Sequence, residues 1–121
     1  MRFVTYRHEG RERVGAVAGD RVCDLQAAYA ACLADDPRGA ELAALRIPTE
    51  LTSFIAGLEP SWTAAREAVA HAEVAPDGLW APLADVRLLA PLRPPAILNS
   101  GQNYWDHRDE KPEVDQKEPE F

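Results

Sequence analysis

Cysteine is scarce in this sequence, with only Cys23 and Cys32 among its 121 residues. Two thiols cannot build the disulfide framework of a small secreted domain, and their separation does not match metal-ligand spacing. Cys32 also stands among alanines, in a segment typical of a helix. The pattern therefore indicates two reduced, buried thiols in a cytoplasmic protein.

Long apolar runs are missing as well. The longest stretch without a charged residue covers the 12 residues 94–105, which include two prolines, a glycine and two asparagines. A membrane-spanning helix needs about 20 apolar residues, so none is expected. Arg2 is followed directly by strand-forming residues rather than by the apolar core of a signal peptide, which again favours the cytoplasm.

Positive charge is in short supply, because 13 Lys and Arg face 20 Asp and Glu, for a net charge of −7. An acidic chain has no general attraction for phosphate backbones or anionic lipids, so neither nucleic acid nor a membrane is expected as a partner. The sequence also has no Gly-rich phosphate-binding loop and no Gly-x-Ser-x-Gly nucleophile elbow. Hydrophobic residues nonetheless make up 46 %, which is normal for a folded domain.

The chain begins with a pattern typical of a small β-unit. Residues 2–7 alternate and are rich in strand formers, and a polar turn containing Gly10 follows. Residues 13–18 predict a second strand, and residues 21–25 predict a third after the Gly19-Asp20 turn. Three short strands with tight links predict an antiparallel meander.

Helices are predicted after the meander. Asp24 can cap a helix over residues 25–34, and residues 41–46 predict a short helical turn. Two more helices are expected over residues 50–56 and 62–73. Their predicted N-caps are Thr49 and Ser61. The apolar stripe of the last helix consists of Trp62, Ala65, Val69 and Ala72.

Prolines punctuate the stretch from Pro76 to Pro95, where residues 86–89 and 96–99 are predicted as short extended segments. A stretch of this kind is typical of a boundary between structural units. We therefore predict two domains, with limits at residues 1–92 and 93–121.

The last segment, residues 106–121, carries seven acids and three bases and has Val114 and Phe121 as its few apolar side chains. Such a composition cannot bury enough surface to hold itself in place. We therefore expect this segment to be ordered only by contacts with another part of the protein or with another chain.

One group of residues could carry chemistry. His107 and Glu110 are three positions apart, so they share a face if this segment forms a helical turn. A carboxylate beside an imidazole fixes the ring tautomer and raises its basicity. The pair can then act as a general base on a water molecule.

Two other interpretations stay open at this point. A His-x-x-Glu pair on a surface turn usually means only solvated charge. A metal site made of Asp106, His107, Asp109 and Glu110 is less favoured, because adjacent side chains point in different directions.

These residues belong to a longer pattern. The run Gly101-x-Asn103-Tyr104-x-Asp106-His107-x-x-Glu110 resembles the beginning of the catalytic domain in the fumarylacetoacetate hydrolase family. Upstream, the Met-x-Phe-Val-Thr-Tyr opening, the Gly-Asp-Arg-Val-x-Asp-Leu stretch at 19–25 and the Pro-Leu-x-x-Val-Arg-Leu-Leu-Ala-Pro stretch at 82–91 are similar to bacterial members. The resemblance covers the chain from end to end.

The resemblance implies an α+β protein, with a small N-terminal β-meander and helices followed by the first strand and active-site loop of a mixed β-roll catalytic domain. It also implies a hydrolase or lyase that cleaves C–C bonds in β-diketo acids, or decarboxylates, hydrates or isomerises 2-oxo acids. His107 and Glu110 match the family's water-activating dyad, and Gln102, Asn103 and Tyr104 fall in the substrate pocket. The full enzyme is expected to be a homodimer.

The same resemblance places the metal ligands outside this chain. Family members bind Mg²⁺, or Mn²⁺, through a Glu-x-Glu pair and a later Asp, which are expected beyond residue 121. The metal acts as a Lewis acid that stabilises the enolate leaving group. We therefore expect the chain to be inactive without the remainder of the catalytic domain. The alternative is a non-catalytic, stand-alone interaction module derived from the family's N-terminal domain.

Overall fold

The computed structural model describes residues 1–99, which form an α+β fold of five strands and four helices. The strands are β1 (Arg2–His8), β2 (Arg11–Ala18), β3 (Arg21–Asp24), β4 (Trp80–Pro82) and β5 (Arg87–Leu88). The helices are α1 (Leu25–Cys32), α2 (Gly39–Arg46), α3 (Leu51–Ala56) and α4 (Leu58–Val74), and a 3₁₀ turn covers Leu83–Asp85. The strands pair antiparallel in the order β4-β3-β2-β1-β5 and curl into a half-barrel.

The predicted three-strand meander is confirmed. β1 pairs with β2 from Arg2 opposite Val17 to His8 opposite Arg11. The two residues that link them, Glu9 and Gly10, have φ of 49° and 77°. Positive φ at both positions is what a type I′ hairpin turn requires, and its twist matches that of the strands.

The helix caps are only partly as predicted. Asp24 caps α1, because its Oδ1 accepts a hydrogen bond from the Ala27 amide at 3.1 Å. The predicted cap at Thr49 is wrong, since Glu50 occupies the N-cap of α3 without a side-chain bond. The predicted cap at Ser61 is also wrong, since α4 begins at Leu58. Helix α4 begins this early because a one-residue link, Gly57, ends α3 and also precedes α4.

The main core lies between the sheet and the helices. Small side chains dominate it on the helical side, because α4 buries Ala64, Ala65, Ala68 and Ala72. Phe54 is fully buried, and its ring centroid lies 5.0 Å from that of Phe3. Trp62 is 37 % exposed, but its ring packs against those of Phe3 and Phe54, so the predicted stripe faces the core at the tryptophan as well as at the alanines.

Two strand assignments differ from the sequence prediction. The prediction missed β4, which has only three residues and pairs with β3 across a long separation in sequence. The strand predicted over residues 96–99 does not form, because no neighbouring strand within residues 1–99 pairs with it. The predicted domain limits and the mixed β-roll stay predictions. None of the helices in the described part of the chain has the length and apolar character needed to cross a bilayer.

Candidate functional site

The residues predicted to carry catalysis, His107 and Glu110, lie outside the described residues 1–99. The predicted pocket residues Gln102, Asn103 and Tyr104 also lie outside them. The same is true of the acidic segment 106–121. These assignments therefore stay predictions, and the geometry that follows is that of the domain preceding them.

A polar group lies where the sheet meets the beginning of α1. Arg13 Nη1 donates to Asp24 Oδ2, and the Asp24 side chain is only 9 % exposed. Tyr6 stands opposite Arg13 in the β1–β2 register and is buried. Burial raises the pKa of the Tyr6 phenol well above its ordinary value, and the Asp24 carboxylate raises it further. Tyr6 is therefore a neutral phenol at physiological pH, beside a compensated ion pair.

Gly15 makes this arrangement fit. A Cβ at Gly15 would lie 2.7 Å from Cε1 of Tyr6 and 2.9 Å from the Cys23 carbonyl oxygen. The Tyr6 ring thus lies directly over the backbone of β2. The group is closely packed and has no room for a ligand between ring and sheet, which indicates a structural role.

Several cavities lie around the described residues, and three of them adjoin β1 or β2. The first, of about 380 Å³, is lined by Arg11, Glu12, Arg13, Val14, Asp24, Gln26, Ala27, Ala30, Ala40, Ala43 and Thr49. The second, of about 230 Å³, is lined by Thr5, Glu12, Thr49, Glu50, Leu51, Ala90, Pro91 and Arg93. The third is an apolar groove of about 510 Å³, lined by Arg2, Phe3, Val4, Val17, Gly19, Leu83 and Leu88. The first cavity is lined by two arginines, Arg11 and Arg13, and by two acids, Glu12 and Asp24, so its formal charges balance.

Residues 89–93, which we call the strap, run past the second cavity along the edge of β1. The Leu89 amide donates to the Thr5 carbonyl oxygen at 2.9 Å, and the Thr5 hydroxyl donates to the Pro91 carbonyl oxygen at 3.0 Å. Arg93 Nη2 donates to Glu12 Oε1 at 3.1 Å. The sequence analysis did not find these contacts, since the partners are 81 to 86 residues apart.

Glu12 is shared between two arginines. Arg7 Nη2 donates to the same Oε1 at 2.6 Å. The hydrogen bonds from Arg7 and from Arg93 hold the pKa of the Glu12 carboxyl below its usual value. Glu12 is therefore an anion that connects the β1–β2 hairpin to the strap.

Neither cysteine is suited to nucleophilic catalysis. Cys23 is fully buried, and burial raises the pKa of its thiol to about 12. Burial also raises the pKa of the Cys32 thiol, which lies 3.5 Å from the Glu67 carbonyl oxygen. The prediction of a buried thiol is confirmed for Cys23, whereas Cys32 is only half-buried. A thiolate is the reactive form, and burial disfavours it at both thiols.

Metal ligands do not cluster in this domain either. Within residues 1–99, no three His, Cys, Asp or Glu side chains come together in a way that could hold a metal ion. The chain matches none of the protein-family models, curated proteins or solved structures with which it was compared. The resemblance to the fumarylacetoacetate hydrolase family consequently rests on the sequence motifs quoted above.

Proposed function

We propose that this chain is the N-terminal domain and first active-site segment of a metal-dependent enzyme of the fumarylacetoacetate hydrolase type. Its substrates are 2-oxo or β-diketo acids. The observation that carries the proposal is the motif Asn103-Tyr104-x-Asp106-His107-x-x-Glu110, in which a base, its carboxylate partner and amide and hydroxyl groups stand close together in sequence. A stand-alone binding module gives no reason for that combination.

The surface of the described domain supports a partner beside the strap. Leu92 is 45 % exposed, Ile97 is 83 % exposed and Leu98 is 98 % exposed. Exposed apolar side chains that follow one another along a chain mark an interaction surface. We assign this surface to the remainder of the catalytic domain, and the assembled enzyme to a homodimer.

The chemistry assigned to this chain is the activation of water. His107 takes a proton from water, and Glu110 holds the ring and stabilises the imidazolium. The hydroxide adds to the substrate carbonyl carbon, and the adjacent C–C bond breaks with its electron pair passing to the enolate. The enolate then takes the proton back from the imidazolium.

The metal of this enzyme type, Mg²⁺ or Mn²⁺, supplies Lewis-acid stabilisation of the enolate when bound. Residues 1–99 contain no set of three side chains that fits such an ion. The resemblance places the metal ligands beyond residue 121, and we derive no step of the mechanism through them.

The test begins with the protein recovered from its own cells through an N-terminal tag. Intact mass and turnover of an acylpyruvate with Mg²⁺ are measured on the recovered material. We expect turnover together with a larger catalytic species, either co-purifying or covalently continuous. Recovery of an inactive 13.3 kDa chain alone would instead favour the stand-alone interaction module.

Three substitutions in the active assembly then test the dyad. His107→Ala should lower kcat by about 10²–10⁴-fold, the usual contribution of a general base. Glu110→Gln should lower kcat while KM changes little, because its charge matters only in the transition state. Asp109→Asn is the matched control and should be nearly silent, since on a helical turn it points away from His107. Full activity of His107→Ala would contradict the assignment.

A further inference from the structure

We infer that Glu12 is a positioning residue, which fastens the strap to the β1–β2 hairpin and so sets the direction in which the chain leaves the domain. The assumption that the predicted dyad lies in that direction rests on the proposed function. The fastening itself rests only on contacts within the described residues. We call the contacts of Glu12 with Arg7 and Arg93 the latch.

Sheet pairing alone cannot hold the strap. β5 has two residues, and its register with β1 covers only Tyr6 opposite Leu88 and Arg7 opposite Arg87. Pro91 in the strap has no amide hydrogen to donate to a ladder, so regular pairing cannot continue through it. Side chains replace the missing ladder, because the Thr5 hydroxyl and the Glu12 carboxylate provide the contacts beyond Leu89.

Among the latch residues, Glu12 is the one on which the balance of charge depends. Arg7 lies directly opposite Arg87 in the sheet, and Arg93 enters the same region from the strap. Like charges placed opposite each other on neighbouring strands repel. Glu12 accepts hydrogen bonds from two of these three guanidinium groups on a single oxygen. Its neutralisation therefore removes an attraction and also leaves a repulsion.

One neighbouring acid could in principle substitute for Glu12. Glu50 lines the same cavity as Arg93. Its Oε2, however, already accepts a hydrogen bond from the Ser53 hydroxyl at 3.2 Å. Within residues 1–99, Arg93 pairs with Glu12 and not with Glu50. Glu12 is thus the residue that the experiment should change.

Two spin labels measure the direction of the strap directly in the full chain. One replaces Leu45, which is 71 % exposed on α2, and the other replaces Ala96, beyond the strap. Cys32→Ser removes the accessible thiol, and the buried Cys23 stays. Glu12→Gln preserves side-chain size. We expect it to increase the width of the distribution of distances between the two labels by about twofold or more. Glu41→Gln is the control, because within residues 1–99 Glu41 pairs with Arg38 at the surface of α2 and not with the strap.

Hydrogen exchange gives a second measurement without labels. The Leu89 amide donates to Thr5, so its exchange should accelerate by about threefold to tenfold in Glu12→Gln, in the range expected for the loss of exposed ion pairs. If Glu12→Gln changes neither the exchange rate of the Leu89 amide nor the distance distribution, the proposal that Glu12 fastens the strap is wrong.

Catalysis separates the latch from the proposed function. In an assembly that shows turnover, Glu12→Gln should lower kcat with KM unchanged, and Glu41→Gln should change neither. A broadened distribution with an unchanged kcat would overturn the positioning role. If the assembly shows no turnover at all, the proposed function fails, while the label distances still decide whether Glu12 directs the chain.

Discussion

The body of the domain, residues 1–88, and the segment that leaves it, residues 89–99, are held by different forces. The body is held by apolar burial, with Phe54, Leu25 and Ile47 fully inaccessible between sheet and helices. The leaving segment is held by hydrogen bonds with Thr5 and an ion pair with Glu12, while its Leu92, Ile97 and Leu98 side chains are exposed. We therefore expect the stability of the body to depend on the volume of its buried side chains. We expect the position of the strap to depend on the charges of the side chains that hold it.

The largest expected effect is a truncation inside the body. Phe54→Ala removes a ring that contacts those of Phe3 and Trp62, at centroid distances of 5.0 and 5.9 Å. The free energy of unfolding should fall by about 3–5 kcal/mol, as for other buried Phe→Ala changes, measured by urea denaturation. Leu45→Ala, on an exposed face of α2, is the control and should change it by less than about 0.5 kcal/mol. A small loss of unfolding free energy in Phe54→Ala would contradict the view that apolar burial holds the body together.

An added methyl group tests the same body by overfilling it. Gly15→Ala places a Cβ against Tyr6 and Val22 and should cost about 1–3 kcal/mol of unfolding free energy. Val22→Ala in the same chain removes the side-chain atom nearest to that Cβ. The double variant should therefore be more stable than the sum of the two single losses predicts, measured as a double-mutant cycle. Simple additivity would show that Val22 is not the side chain that limits space at Gly15.

The smallest expected effect concerns charge at the strap. The pKa of Glu12 is lower in the folded protein than its ordinary value, because Arg7 and Arg93 donate to it. A lowered pKa means that the latch is fully formed above the ordinary carboxyl range and is lost as pH falls through the lowered pKa. The spin-label distribution should broaden over that fall in the wild type and stay broad at all pH values in Glu12→Gln.

A companion measurement keeps the body under observation. Tryptophan fluorescence should remain that of the folded protein while the distance distribution broadens, and concentrated salt at neutral pH should broaden it as acid does. Loss of the folded signal at the same pH as the broadening would show that acid disrupts the body and the strap together. That result would contradict the view that different forces hold them.

Local patterns account for the parts of the fold that could be predicted. The meander depends on alternation and on turn residues a few positions apart, so Gly10 and Gly19 indicate it directly. The cap at Asp24 is equally local. The predicted cap at Ser61 was wrong because the one-residue link at Gly57 makes α4 begin at Leu58, and composition does not show this link. The predicted cap at Thr49 was wrong because α3 begins one residue later than predicted.

Long-range contacts account for what could not be predicted. β4 is recognisable only through its pairing with β3, since three residues carry too little pattern of their own. The latch joins Glu12 to Arg93, and nothing near either residue in sequence indicates the other. For the candidate site, the sequence supplies a motif around His107, and its geometry stays a prediction.

The pairing of β5 with β1 has a consequence for the order of folding. Its contacts join residues near the two ends of the described chain, whereas the meander closes through two-residue turns. Contacts close in sequence form faster than distant ones, and a chain emerging from the ribosome can use only what has been made. The meander is therefore available early, and the edge of β1 waits for Leu88. Until Leu88 has been synthesised, the backbone N–H and C=O groups along that edge of β1 are unpaired. An edge of this kind can pair with the wrong strand or with another chain.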